Sequence, residues 1–231
     1  MRLNTRSFAA LGAGIALLAA LTGCAGTTAS ADSDTSTDNA TTIEGTFASG
    51  DSNTIVFATL PDHEGAEQDA QPIADWIAEI TGKEVKFFEA TDYTAVVQGL
   101  AAGQIDVAQI SAFTYYQSQA AGAEIEPIGA QITAEGAEPG YFSVALKNPA
   151  SSATTLADFA DQPVCFVNPT STSGRAIPVS QLLEAGVTVS DENTVYGESH
   201  DLNAAKIAEG VDCQVGFAQD VDADPLIASG A

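Results

Sequence analysis

Three hydroxyl side chains and a glycine stand together where an apolar run gives way to a helical pattern. They are Ser171, Thr172, Ser173 and Gly174, between the runs PVCFV and IPVSQLLEAG. The first turn of a helix has unpaired backbone N–H groups and the positive end of the helix dipole, so hydroxyl donors beside it can bind the oxygens of an anion. One serine or threonine suffices to cap a helix. Three in succession therefore favour an anion-binding loop over capping alone.

A serine hydrolase is the rival interpretation of the same side chains. His200 and Asp201 follow the loop in the sequence ESHD, and a serine, a histidine and an aspartate can act as nucleophile, base and orienting acid. Adjacent histidine and aspartate side chains diverge, however, and TSTSG lacks the G-x-S-x-G turn that exposes a nucleophile. We therefore expect no enzymatic activity. The other histidine, His63, follows the first predicted strand and is expected to be exposed.

The N-terminus predicts export. Arg2 and Arg6 precede an apolar run over residues 8–21, a layout typical of a signal peptide and too short to span a membrane. The next residues complete the sequence LTGC, which has the pattern of a bacterial lipobox and predicts a diacylglycerol on Cys24. An ordinary signal peptide with a chance cysteine is the alternative. We expect residues 1–23 to be removed and the mature chain to be lipid-anchored to the outer face of the cytoplasmic membrane.

Composition limits the partners of the chain. Residues 24–52 consist mostly of small and polar residues, which cannot bury enough surface to order themselves, so they are predicted to form a flexible tether. The formal net charge of −24 argues against nucleic acid as a partner. A small anion is compatible with that charge, because backbone donors and helix N-termini bind anions locally.

Two cysteines remain besides Cys24. Cys165 and Cys213 each fall in a predicted strand of an exported chain, where disulfides persist. A disulfide between adjacent strands is expected, with two buried free thiols as the alternative. Two cysteines without a nearby pair of histidines make a poor zinc site, so no metal and no cofactor are predicted.

Short apolar strands alternate with amphipathic helices along the folded part. The predicted strands are TIVFATLP, EVKFFEA, IDVAQIS, YFSVALK, PVCFV, TVYGES and CQVGFAQDV. Between the first two, Ile73, Trp76, Ile77 and Ile80 recur at helical spacing and predict one buried helix face. Strand and helix alternating with short connections indicates an α/β fold with mostly parallel sheets covered by helices.

Four motifs in register resemble one family. TDYTAVVQGLAAGQIDVAQISAFTYY, GYFSVALKNPASSATTLADFADQPVCFVNPTSTSGRAIP, ESHDLNAAKIAEGVDCQVGFAQD and the lipobox are similar to the phosphate/phosphite/phosphonate-binding lipoproteins of ABC importers. The resemblance implies a two-lobed, type II periplasmic-binding-protein fold with the ligand in the cleft. It places the first lobe at 53–143 together with 222–231, and the second at 144–221.

The resemblance also implies roles for single residues. The ligand-binding positions are Tyr93 and Tyr141 in the cleft, Ser171, Thr172 and Ser173 in the oxyanion loop, His200 in the second lobe, and Asp220 against an amino or protonated group. The two tyrosines fit a half-buried core equally well, and a lone histidine is more often structural. Arg175 is unusual for the family, and it either reinforces anion binding or faces solvent.

The implied partners are a small oxyanion and an ABC permease powered by a separate ATPase. Members of the family normally continue for most of another hundred residues, whereas this sequence stops at DPLIASGA. We therefore expect an incomplete first lobe with exposed apolar surface and strand edges. A truncated, non-transporting lipoprotein remnant is the alternative function.

Overall fold

The computed structural model describes residues 47–132 and 134–229, which fold around two sheets. The first sheet is wholly parallel, in the order β2-β1-β3, with α1, α2 and α3 packed around it. We call these elements the first lobe. Their bounds are β1 Thr54–Thr59, α1 Ala66–Thr81, β2 Glu84–Phe87, α2 Tyr93–Ala101, β3 Val107–Gln109 and α3 Ala112–Ala120.

The second sheet has four strands in the order β4-β7-β5-β6, and only its edge strand β4 runs antiparallel. With its helices it forms the second lobe. The bounds are β4 Ser143–Lys147, β5 Val164–Phe166, α4 Ile177–Glu184, β6 Thr194–Tyr196, α5 His200–Glu209, β7 Val215–Gln219 and α6 Asp220–Ser229. Every predicted strand is present, because each is a short apolar run bounded by a turn.

Helix α1 forms where the periodicity predicts it but buries only part of the predicted face. Its buried side chains are the alanines at 66, 70 and 74 together with Ile77. Ile73 also packs against this cluster, whereas Trp76 and Ile80 are 58% and 60% exposed, so the prediction is wrong for these two residues. The alanines let the helix backbone approach β1 closely, which turns the larger side chains outward. The helix ends at Gly82, whose φ of 66° lies in the left-handed region that glycine adopts without strain.

Packing begins earlier than the sequence predicts. Phe47 packs against the cluster around Ile55 and Phe57, and the Ala48 N–H donates to Asp106 Oδ1 at 2.8 Å. Residues 47–52 therefore belong to the folded part, whereas the sequence placed them in the tether. The signal peptide, the lipidated Cys24 and the rest of the tether lie outside the described residues. In 47–132 and 134–229 no helix is long and apolar enough to span a membrane.

Large apolar side chains fill the second lobe. Phe166 and Phe217 stack with their ring centroids 5.9 Å apart, and Leu182 of α4 closes the cluster. Beside them, a disulfide joins Cys165 to Cys213, with the Cα atoms 5.9 Å apart. Cys165 lies in β5 as expected, but Cys213 precedes β7 by two residues.

The C-terminal helix packs on the second lobe. Ala223 of α6 is buried with Ala204 of α5 and Ala218 of β7. Small side chains at all three positions allow this close packing. The resemblance assigned residues 222–231 to the first lobe, and for the described residues 222–229 the structure corrects that assignment.

Candidate functional site

The loops that carry the predicted site follow the carboxyl ends of parallel strands. Ser111 follows β3 in the first lobe, whereas Ser171 and His200 follow β5 and β6 in the second. Ligands in open α/β sheets bind outside these strand ends. The two lobes present such ends to each other and are joined there by hydrogen bonds.

One group of bonds joins the oxyanion loop to the start of α3. Thr172 Oγ1 donates to Ser111 Oγ at 3.0 Å and accepts from the Phe113 N–H at 2.7 Å. Thr114 Oγ1 donates to the Thr170 carbonyl at 3.0 Å. Ser111 thus contacts the predicted oxyanion loop, although no sequence motif singled it out. Its signal was a hydroxyl at the end of a predicted strand, at the N-cap of a helix.

Ser171 both caps the turn that precedes α4 and contacts the first lobe. Its Oγ accepts from the Gly174 N–H at 3.0 Å, which is the plain capping function, and it also hydrogen bonds with Tyr93. Ser173 is buried, and its carbonyl accepts from Ser143 Oγ at 2.7 Å. Of the three predicted hydroxyls, the structure thus brings Ser171 and Thr172 against the first lobe.

Pro178 and Gly174 explain the local shape of this loop. A turn of π-helix over Thr172–Ala176 precedes α4, with the Ala176 N–H donating to the Ser171 carbonyl at 3.0 Å. Pro178 has no N–H to offer Gly174, whose carbonyl accepts from Val167 at 3.1 Å instead. A side chain at Gly174 would collide with Val167, so the loop can pack this closely only with glycine. The regular α-helix therefore begins only at Ile177, after the π turn.

Both predicted tyrosines lie beside these hydroxyls. Tyr93 is buried, and burial together with the negative field of Asp62 raises the pKa of its phenol well above 10. Tyr141 is 38% exposed, and partial burial raises its pKa although hydrogen bonds with Thr172 and Ser111 oppose the rise. Both phenols therefore stay protonated near pH 7 and can donate hydrogen bonds. We call Tyr93, Ser111, Tyr141, Ser171 and Thr172 the hydroxyl cluster.

His200 is buried at the N-terminus of α5. Burial lowers its pKa to about 4, although Asp201 opposes the shift, so the ring is neutral near pH 7. Its Nδ1 accepts from the Gln219 N–H at 2.9 Å, which places the ring proton on Nε2. The side chain thus has a structural bond at one nitrogen and an N–H donor at the other.

Asp220 holds the backbone at the entrance to β4. Its Oδ1 accepts from the Phe142 N–H at 3.0 Å, and its own N–H donates to the Phe142 carbonyl at 3.0 Å. Among the described residues these bonds do not connect it to the hydroxyl cluster.

A group of acids and one histidine lies beside the hydroxyl cluster, and the sequence analysis did not find it. Its members are Asp62, His63, Asp69, Asp201 and Asp222, which we call the acid–histidine cluster. Burial raises the pKa of Asp62, while His63 opposes the rise. Burial, and to a lesser extent the charge of Asp62, raises the pKa of Asp222 to about 6. His63 is half-buried here instead of exposed. The members of the cluster come from loops and helices far apart in the sequence, so no single motif predicts it.

None of the five lysines and arginines in the described residues lies in either cluster. The Arg175 guanidinium lies 4.3 Å from the centre of the Phe166 ring and 6.0 Å from that of Tyr196. Neither of the two expectations for Arg175 describes this position, because it stacks on aromatic rings. A bound anion would be held by neutral hydroxyl, amide and imidazole donors.

Known proteins resemble this chain over most of its length. The family described as "ABC transporter, phosphonate, periplasmic substrate-binding protein" matches residues 57–231. The phosphate-import protein PhnD of Mycolicibacterium smegmatis is 36% identical over 192 residues, which cover 78% of this chain and 60% of that protein. The chain thus spans about 60% of the length of this curated relative.

Solved structures share the fold. A binding protein component of an ABC phosphonate transporter from Pseudomonas aeruginosa matches with a TM-score of 0.63 and 24% identity, over 76% of this chain and 60% of that one. PhnD1 from Prochlorococcus marinus, in complex with methylphosphonate, matches with a TM-score of 0.62 and 19% identity, over 77% and 70%. The expected type II periplasmic-binding-protein fold is confirmed. The chain belongs to the family of periplasmic substrate-binding proteins of phosphonate ABC transporters.

Proposed function

We propose that this protein captures a small phosphorus oxyanion, namely phosphate, phosphite or a phosphonate, outside the cytoplasmic membrane for an ABC importer. One observation carries the proposal: the hydroxyl loop of the second lobe faces hydroxyl donors of the first across the strand ends. The capturing residues are Tyr93, Tyr141, Ser171, Thr172, Ser173 and His200, to which we add Ser111.

Neutral donors are sufficient for this task. Hydroxyl and N–H groups that bond to an ionised oxygen contribute about 1.5–3 kcal/mol each. Thr172 and Ser111 now bond to each other across the lobes. An oxyanion that enters between them replaces that single bond by two charge-assisted ones. The Nε2–H of His200 and the Tyr93 phenol supply further donors without carrying a charge.

The remaining parts of the proposal concern location and partners. A disulfide between Cys165 and Cys213 fits an oxidising compartment outside the cytoplasm. We propose that residues 1–23 act as a signal peptide, that a lipid on Cys24 anchors the chain, and that an ABC permease with a separate ATPase receives the ligand. Asp220 stays a proposed ligand residue only for ligands with an amino or protonated group, because its carboxylate already accepts from the Phe142 N–H.

Calorimetry tests the ligand class. The whole chain is titrated with phosphate, phosphite, methylphosphonate and 2-aminoethylphosphonate, and heat with at least one of them is expected. Thr172→Val keeps the shape of the side chain and removes its hydroxyl, so affinity should fall about 10- to 100-fold. Thr188→Val, at an exposed threonine, is the matched control and should bind normally. Absence of heat with all four ligands overturns the proposal and favours the non-transporting alternative.

The hydrolase alternative has a direct test of its own. The Ser171 oxygen accepts from Gly174, and His200 Nδ1 accepts from the Gln219 backbone, an arrangement in which the histidine does not activate the serine. A fluorophosphonate probe should therefore leave Ser171 and Ser173 unlabelled. Labelling of either serine would contradict the binding function.

A further inference from the structure

The loop between β1 and α1 joins the lobes at a second place, beside the hydroxyl cluster. The His200 N–H donates to the Asp62 carbonyl at 2.6 Å, and the Glu64 N–H donates to Asp201 Oδ2 at 3.1 Å. Both bonds use backbone groups of residues 62 and 64. The backbone shape of this loop therefore decides whether the two bonds form.

His63, between those two residues, fixes the shape of the loop through both of its ring nitrogens. Nδ1 lies 2.8 Å from Asp62 Oδ1, and Nε2 lies 3.0 Å from Asp69 Oδ2. Ionised carboxylates only accept hydrogen bonds, so the ring satisfies both partners only when both nitrogens carry a proton. The neutral ring has one proton and must lose one of the two bonds.

Acidic groups surround this ring from every element packed against it. Asp62 precedes it in the loop, Glu67 and Asp69 lie in the first turn of α1, and Asp222 faces it from α6. Burial, and to a lesser extent the charge of Asp201 on α5, raises the pKa of Asp62. His200, also on α5 and neutral near pH 7, is the only other imidazole near this ring. The imidazolium is the only positive charge among these groups.

We propose that His63 is a proton-operated latch between the lobes: its imidazolium ties Asp62 to Asp69 and so holds the loop in the shape that bonds to α5. This inference goes beyond the proposed function, because it concerns contact between the lobes and needs no ligand. Loss of the proton frees one carboxylate and weakens both backbone bonds across the cleft.

The direction of the pH effect follows from the surroundings of the ring. Burial lowers the pKa of His63, but hydrogen bonds to Asp69 and Asp62 and the charge of Asp222 outweigh burial and raise the pKa above its usual 6.5. The latch is therefore closed below 6.5 and opens as the pH rises through a value above it. Any ligand held between the lobes would be released in the same direction.

Energy transfer between the lobes tests the latch without a ligand. Trp76 is the only tryptophan and lies exposed on α1, and Leu183→Cys puts an acceptor dye on an exposed position of α4. Cys24→Ser leaves the introduced thiol as the only free one. We expect transfer to fall as the pH rises from about 6 to about 9, across the raised His63 transition. His63→Gln should remove this pH response.

Asp69→Asn and Asp75→Asn form a matched pair on the same helix. Asp69 bonds to the ring, whereas exposed Asp75 bonds only to Gln71 among the described contacts. Asp69→Asn should move the midpoint to lower pH, and Asp75→Asn should not. The His63 ring proton signal in the NMR spectrum should shift its midpoint in parallel, a readout that remains if His63→Gln folds poorly. The proposal is overturned if energy transfer in the parent does not change with pH, or if it changes equally in His63→Gln.

A second arm separates the latch from the proposed function. The ratio of phosphate Kd values for His63→Gln and parent cancels the ionisation of phosphate itself. This ratio should fall about fivefold or more as the pH rises over the same range. If neither protein binds phosphate, the energy-transfer result alone decides on the latch, and the other three oxyanions decide on the proposed function.

Discussion

At the scale of single residues, capping and ligand binding do not compete for the same atoms of the oxyanion loop. A hydroxyl has one donor and two acceptor sites. Ser171 uses an acceptor site for the Gly174 N–H, and its own proton remains available to a partner. The question whether this loop is a cap or an anion site therefore has no single answer. One side chain can cap the turn and donate to a ligand.

Arg175 gives the clearest prediction at this scale. Its guanidinium stacks on Phe166 and is not part of the hydroxyl cluster. Arg175→Gln should therefore lower the free energy of unfolding by about 1 kcal/mol, the typical value of a cation–π contact. Urea denaturation measures the loss, and calorimetry should show unchanged oxyanion affinity. Arg175→Lys, which keeps the charge, should recover part of the stability. A loss of affinity in Arg175→Gln with normal stability would instead place the guanidinium at the ligand.

At the scale of elements, periodicity predicted the strands and helices but not the contacts between them. The interruption at Pro178 was predictable because proline removes a backbone donor wherever it stands. The buried face of α1 was not, since the alanines at 70 and 74 pack closely enough to leave Trp76 outside. Hydrophobic periodicity favours the large side chains and does not register how closely a small one approaches a sheet.

The residues of the candidate site also divide into those whose proximity was predictable and those whose proximity was not. Ser171, Thr172 and Ser173 are adjacent in sequence, so their proximity was predictable. The latch around His63 unites residues 62–69 with Asp201 and Asp222, which only the packing of α5 and α6 brings near. Long-range juxtaposition of this kind leaves no local pattern. A resemblance transfers only the positions that its motifs contain.

The disulfide is the element-scale feature with the largest expected effect on stability. It joins β5 to the turn before β7 and closes a loop with a sequence separation of 48. A crosslink of this span removes unfolded-state entropy worth about 4 kcal/mol, and measured values are commonly about 2–4 kcal/mol. Cys165→Ala with Cys213→Ala should therefore lower the Tm by roughly 5–15 °C in calorimetric scans.

Reduction of the parent by a phosphine should have the same effect as the double substitution. Cys24→Ser, at a position outside the matched residues 57–231, is the control and should leave the Tm unchanged. Equal Tm values for the oxidised and reduced parent would show that the disulfide does not stabilise the second lobe.

At the scale of the whole molecule, buried His200 on α5 and half-buried Asp222 on α6 respond to acid in opposite directions. His200 has its pKa lowered to about 4 by burial, so the unfolded chain takes up its proton first on acidification. Stability is therefore lost as the pH falls from 6.5 towards 4. Asp222 has its pKa raised to about 6, also by burial, so the folded chain holds that proton more tightly. Its contribution is lost as the pH rises from 3.8 towards 6.

Substitution of each group should reveal the contribution of that group to the pH dependence of stability. Relative to the parent, His200→Gln should become more stable as the pH falls from about 6 to about 4, by about 2–3 kcal/mol. Asp222→Asn should gain in the opposite direction, and solvent screening of this half-buried carboxyl limits the gain to about 1 kcal/mol. Urea denaturation at several pH values gives the slope of the unfolding free energy against pH for each variant relative to the parent. Groups common to parent and variant cancel in this difference. Asp224→Asn, an exposed acid on the same helix, should follow the parent. Slopes of equal sign for the two variants would mean that the histidine and the carboxyl do not respond to acid in opposite directions.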